Sequence, residues 1–319
     1  MSKGRIILLI VAGALLITGG IIFGVALKKG INHKADAGEK KTYNSLGAFD
    51  TIEMEVDTSD INIRKSTDGK NYVEVYEYKE VVHEVKVEDG KLLIKSVDNR
   101  KWYDFIFGFN FMNLQINVYL DNTEYAKLKI KASTADVTVD KEFVFGDVDI
   151  HLSTGDVEMS AKINNEFKVE TSTGDVRFKG NTAKMVNIDT DTGRVYLENV
   201  DVSEDLSIKV TTGNTSLKEV TAKNLKYKAS TGDIKLVNTV IANHIEINTS
   251  TGDVDFDHCD ASTLTVKTTT GHVKGSLLTP KSFWIETDTG KRDVPRTTGG
   301  DCEITTDTGD IKITVVNNE

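Results

Sequence analysis

From residue 49 onward the chain alternates between apolar and polar positions. Ile52, Met54 and Val56 are followed by Ile61 and Ile63, and then by Val73, Val75 and Tyr76. A period of two predicts strands with one buried face. Asp89-Gly90 sits between VHEVKV and KLLIKS, a hairpin dipeptide with alternating flanks. No helical period follows residue 28, so this part of the chain reads as all-β.

The alternation then locks into a repeat. With the Gly of each T-G pair as position zero, glycines fall at 155, 174, 193, 213, 232, 252, 271, 290 and 309, spaced 19 or 20 residues apart. Ala135, in STADV, stands one spacing earlier and makes ten copies, each with Thr immediately before position zero. Positions −7, −5, +2 and +4 are mostly apolar, as in Val148, Ile150, Val157 and Met159. Each unit is a strand, a T-G turn, a second strand and a looser return. It cannot bury its apolar face alone, so copies must stack. The prediction is a single-stranded right-handed parallel β-solenoid, a β-helix-like stack of about ten 19–20-residue coils. At about 4.8 Å per coil it would be roughly 45–50 Å long. An antiparallel sandwich of the same hairpins fits the alternation, but gives no reason for one register over ten copies. Serial stacking would leave the last strand, IKITVVNNE, as an unprotected edge.

The turn needs these residues. Gly takes φ > 0 freely. Thr is expected to hydrogen-bond the turn backbone or the Thr one coil above. The structural turn set is Thr154, Gly155, Thr173, Gly174, Thr192, Gly193, Thr231, Gly232, Thr251, Gly252, Thr308 and Gly309. Position +1 reads Asp136, Asp156, Asp175, Arg194, Asn214, Asp233, Asp253, His272, Lys291 and Asp310. Like charges one coil apart cost about 1 kcal/mol even in water. Arg, Asn, His and Lys break the Asp runs, as stacking requires. Solvated carboxylates explain the column better than Ca²⁺, whose nonapeptide roll has a Gly-Gly-x-Gly-x-Asp pattern absent here.

Ile6 to Leu27 form 22 residues without a charge. As a helix they would span about 33 Å, enough to cross a bilayer. The run is long for a cleaved signal peptide, and an uncleaved anchor is the preferred reading. Lys3 and Arg5 precede it and Lys28, Lys29 and Lys34 follow, so charge bias does not orient it. The expected organisation is an anchor at 1–27, a juxtamembrane linker at 28–45, an N-terminal β cap region at 46–125 and a β-repeat solenoid at 126–319.

Composition narrows the chemistry. The 319 residues carry a formal net charge of −10, which argues against nucleic acid. Cys259 and Cys302 provide no disulfide framework or metal spacing; Cys302 falls in an apolar column. DTG at 191, 288 and 307 spells the aspartic-protease triplet, yet occupies the same slot as STG and TTG. A protease dyad must face across a cleft. No GxSxG, P-loop or HExxH occurs, and the Asp257-His258-Cys259-Asp260 run falls in a return turn. No catalytic residue, cofactor or metal site is expected. Trp102, Tyr103, Phe105, Phe107, Phe109 and Phe111 form one aromatic segment, read first as a lid on the first coil and second as a partner or membrane-interface loop.

An N-terminal apolar segment, a short linker, FDTIEMEVDTSDINI and serial TSTGDV units together resemble the bacterial putative-adhesin family, a domain of unknown function that includes LiaG-like membrane-anchored β-strand repeat proteins. The resemblance covers most of residues 46–316. It implies a single-pass cell-membrane protein with an extracytoplasmic C-terminal domain, sometimes linked to envelope stress, and supplies no catalytic residues. Two features depart from it: the aromatic segment, and the degraded repeat DTGKRDVPRTTGG, where Arg292 and Pro295 interrupt the second strand. The expected function is a non-enzymatic adhesin or envelope scaffold. Its partners would be the membrane, an envelope polymer or membrane protein, or a second copy. The alternatives are a regulatory partner of an envelope-stress sensor and, behind it, a polysaccharide-acting β-helix enzyme.

Overall fold

The computed structural model describes residues 39–44, 46–77, 81–99 and 114–316. The expected anchor and the aromatic segment 102–111 lie outside the described residues. Among the described residues there is no helix, and so none long and apolar enough to cross a membrane.

The chain folds as a parallel β-solenoid. Val148 pairs with Leu128 on one side and Phe167 on the other, and Ile150 with Ile130 and Val169. The same register carries Thr134 onto Thr154, Thr173, Thr192, Thr212, Thr231, Thr251 and Thr270. The alternating side chains of both strands fill one continuous core, with Phe167 and Phe178 in ring contact at 4.7 Å.

Each coil turns twice. At position zero Gly232 has φ +145°, and a Cβ there would lie 1.9 Å from the Gly213 carbonyl oxygen one coil below. Glycine is demanded by the closeness of the neighbouring corner as well as by φ. The second bend, six residues on, is left-handed: Gly180, Asn199, Glu219, Asn238 and His258 have φ between 48° and 66°. His258, singled out by the DHCD run, is therefore a bend residue. Its Nδ1 lies 2.6 Å from Asp257 Oδ1.

The amino-terminal end is built from non-serial strands. Thr51–Thr58 pairs with Glu124–Thr134 and sets Thr58 on Thr134, so FDTIEMEVDTSDINI is a coil of the stack. Below it, Lys91–Asp98 and Gln115–Leu120 continue the two parallel ladders. Antiparallel strands close this end: Val81–Glu88 on Lys91–Asp98, and Tyr72–Glu77 on Gln115–Leu120. Glu39–Tyr43, within the stretch read as linker, pairs outside Tyr72–Glu77.

The carboxy-terminal end corrects the serial expectation. Gly300–Thr308 pairs with Val254–Thr270 on one side and Lys281–Thr289 on the other. Ile311–Val315 likewise lies between Val273–Leu277 and Arg292–Asp293. The last coil in sequence is thus next to last in space, and Ile311 and Lys312 at the start of IKITV are covered on both sides. The degraded repeat ends the rod. Its second strand stops after two residues, before Pro295, and Lys281 points inward to Asp260 at 2.8 Å. A short strand, a proline and an inward charge all blunt an edge.

Candidate functional site

The corner column is the most ordered polar feature. Asp, Asn and His side chains at +1 accept the backbone N–H of the +1 residue on the next coil. Asp60 Oδ1 takes the Asp136 N–H at 3.1 Å, and Asp136, Asp156 and Asp175 continue at 2.7–2.8 Å to Arg194. A second run starts at Asn214 and passes through Asp233 and Asp253 to His272, whose Nδ1 accepts the Asp310 N–H at 2.9 Å. Asp310 then accepts from Lys291 at 2.8 Å. Asn214 and His272 do more than interrupt like charges, since they are acceptors in the ladder. Arg194 and Lys291, which cannot accept, each close a run.

Charge in the first run is compensated. The Arg194 guanidinium lies 2.9 Å from Asp175 Oδ2, and Arg177 spans Asp175 at 2.7 Å and Asp156 at 3.2 Å. Burial alone would raise the Asp175 carboxyl, but the Arg194 N–H and guanidinium, with Arg177, hold it below the usual carboxylate range. Both guanidiniums also lie over the Tyr196 ring, at 5.4 and 5.6 Å. Among the described residues no group of three acidic, His or Cys side chains could hold a metal ion.

Turn residues Thr154, Gly155, Thr173, Gly174, Thr192, Gly193, Thr231, Gly232, Thr251, Gly252, Thr308 and Gly309 occupy the corners, their backbones bonding coil to coil. Gly155 N–H donates to the Thr173 carbonyl at 2.8 Å, and Gly232 N–H to Thr251 at 2.9 Å. Of the corner Thr hydroxyls, Thr289 takes the expected role, 3.4 Å from Thr308 Oγ1 and donating to the Asp307 carbonyl at 3.2 Å. Buried threonines at −3 bond the corner carbonyls as well. Thr287 donates to Gly309 at 3.0 Å and Thr306 to Gly271 at 3.1 Å. Sequence reading missed this column, in which Thr171, Thr190, Thr249, Thr268, Thr287 and Thr306 share the buried −3 position with Ala132, Leu152, Val210 and Ala229.

No protease geometry forms from the DTG copies. Asp288 and Asp307 lie side by side on the exposed −2 column of neighbouring coils, and Asp191 lies several coils away. Among the described residues a Ser-His-Glu grouping occurs at the seam between the first coils and the antiparallel cap. Ser59 Oγ is 3.5 Å from His83 Nε2, and His83 Nδ1 is 3.8 Å from Glu77 Oε1. Ser59 is buried and its hydroxyl donates to the Thr58 carbonyl at 2.6 Å. Glu77 Oε1 already accepts the His83 N–H at 2.7 Å. The grouping fastens the cap to the rod.

Both cysteines are free and buried, on separate coils. Burial pushes the Cys259 thiol up to about 11 and the Cys302 thiol up to about 12. At the far end, Trp284 stands 69 % exposed on the outer face of Lys281–Thr289. It borders an open cleft of about 650 Å³ with Glu286, Asp301 and Glu303.

Comparison with known proteins bears on the fold. A putative adhesin from Parabacteroides distasonis superposes with a TM-score of 0.50 at 12% identity, covering 87% of this chain and 98% of its own. One from Bacteroides fragilis gives 0.44 at 17% identity, covering 88% and 98%. No match was found among curated proteins. The Toastrack DUF4097 family matches residues 49–313, which span the coils from FDTIEM to the last strand, and the chain belongs to that family.

Proposed function

We propose that this protein is a non-enzymatic, membrane-anchored component of the cell envelope. Its right-handed β-rod would stand outside the membrane and present a rigid surface to an envelope polymer or another membrane protein. The observation that carries this reading is the closure of the fold's own chemistry. Corner acceptors, arginines and buried threonines are engaged in holding coil on coil, and the DTG aspartates lie on an exposed column with no opposing wall. What remains for function is surface. A rod so cross-bonded spans distance without bending, which suits a scaffold better than chemistry on a small substrate. The uncharged run Ile6–Leu27 supports the anchored placement, and the fold shared with a putative adhesin from Parabacteroides distasonis suits an external one.

Protease shaving of intact cells, followed by fractionation, tests this. Loss of the domain from whole cells, with an amino-terminal fragment left in the membrane fraction, is the expected result. A domain protected until cells are lysed would refute the external placement. Co-purification with a membrane sensor, with signalling altered in a deletion strain, would move the reading to a regulatory partner.

A further inference from the structure

Position −6 of the first strand is polar along the rod, from Glu53, Lys129, Asp149 and Lys168 to Glu246, Thr265 and Glu303. On the terminal coil the same position is Trp284, 69 % exposed and the most exposed large apolar side chain among the described residues. A fully presented indole at the end of an otherwise polar column marks a contact surface.

Its surroundings define what could be contacted. The cleft beside Trp284 has a volume of about 650 Å³ and is lined by Thr263, Thr265, Glu286, Asp301 and Glu303. These side chains offer hydroxyls and carboxylates, and the cleft has no Lys or Arg in its lining. Lys267 approaches Glu303 at 3.4 Å but is not part of the wall. Ionised carboxylates accept hydrogen bonds and cannot donate them, so the cleft asks for a ligand rich in donors. It also repels anions. A flat apolar ring beside several acceptors matches a sugar, whose ring C–H face covers an aromatic surface while its hydroxyls donate outward.

We propose that the Trp284 cleft binds a glycan without acidic groups, neutral or bearing amines. The proposal rests on the scaffold reading and names the chemistry of its polymer. A phosphate-bearing or uronate polymer would meet three carboxylates without a compensating cation in the wall. A second copy adding a strand to this end is the less favoured occupant. Lys281 is turned inward there, and the second strand ends before Pro295 after two residues.

The test uses the full chain with Trp102→Phe, which leaves Trp284 as the single tryptophan of the two. The probes are hexamers of N-acetylglucosamine and of glucosamine, with polygalacturonate as the anionic comparison. Titration should shift Trp284 emission to the blue with both hexamers, and polygalacturonate should leave it unchanged. Trp284→Ala, whose melting should match the parent because the indole is exposed, should weaken binding by tenfold or more in calorimetry. Trp284→Tyr should keep part of the affinity. Absence of binding by both hexamers overturns the proposal, as does equal affinity of Trp284→Ala, or binding of polygalacturonate alone. A Trp284-dependent dimer in sedimentation, or exclusive binding of a lysine-rich peptide, overturns it in favour of a protein partner. Shaving of intact cells reads placement independently, so failure of this proposal is distinguishable from failure of the scaffold reading.

Discussion

Replacing Gly232 with alanine tests the stacking argument at its tightest point. The new Cβ would sit 1.9 Å from the Gly213 carbonyl oxygen and 2.6 Å from its carbon. That is about 1.4 Å inside the shortest ordinary C···O contact of roughly 3.3 Å. Both partners are backbone, so relief requires the two corners to separate. Three hydrogen bonds cross this gap: Gly213 N–H to Thr231, Thr215 N–H to Asp233, and Asp233 N–H to Asn214 Oδ1, at 2.8–3.0 Å. At about 0.5–1.5 kcal/mol each, with about 1–3 kcal/mol for a strained φ, the substitution should cost about 3–7 kcal/mol. Gly180→Ala is the control. Gly180 also has positive φ, +66°, but nothing lies within 4 Å of its added Cβ, so only the left-handed penalty of about 1–2 kcal/mol remains. Urea unfolding followed by far-UV circular dichroism gives the comparison. Hydrogen exchange at the Gly213 and Gly232 corners shows whether the loss is local, as a nearest-neighbour stack requires. Equal destabilisation by the two substitutions, within about 0.5 kcal/mol, would show that the corner glycines serve φ alone and that close approach is irrelevant.

Other expectations follow from the ladder, the cap and the core. Asp233→Ala removes the acceptor for the Asp253 N–H, 2.9 Å away, and should cost about 1 kcal/mol, whereas Asp233→Asn should be near neutral in the same melts. Burial pushes His83 below its ordinary pKa, Glu77 pulls it back up, and Lys41 lowers it further. The unfolded chain therefore binds a proton that the folded chain resists, so stability should fall as pH drops below about 6.5. The groups facing it are Glu77, Lys41, Tyr43 and Ser59, and His83→Gln should flatten stability between pH 7 and pH 5; an unchanged slope would assign the acid loss elsewhere. Cys259 and Cys302, buried with raised pKa values, should not react with a thiol reagent at pH 8 until denaturant is added; rapid labelling of the folded chain would contradict their burial.

The solenoid was legible because its signal repeats. A single Val or Ile says little, but Ile at −5 or Val at +2 in coil after coil leaves few architectures. The coil Thr51–Lys65 escaped the repeat count because the long stretch before Glu124 breaks the period, although Met54 and Ile61 obey it. The order of the last two coils was not legible from the apolar pattern. Leu264 can pair with Phe283 or Cys302 equally well by pattern, and it pairs with Cys302. In hindsight Arg292 and Pro295 were the marker: a repeat that cannot template another belongs at the end. Lys291 is the matching clue on the corner column, since the terminal rung needs no acceptor. The −3 threonines were hidden because a buried, satisfied hydroxyl looks, in sequence, like a lapse in an apolar column. Trp284 was passed over for the opposite reason: at a −6 position, one aromatic among polar residues carries no periodic signal.

The exchanged order of the two final coils has a mechanical consequence. In a rod that ends with its last strand, a pull on the carboxy terminus peels one ladder at a time, as a zipper opens. Here Gly300–Thr308 is held between two neighbours, and so are Ile311 and Lys312 where the last strand begins. A force applied at that terminus must shear ladders on both sides at once before any coil leaves. Such a terminus behaves as a clamp, and its unravelling force should exceed that of a serially ended solenoid of the same length.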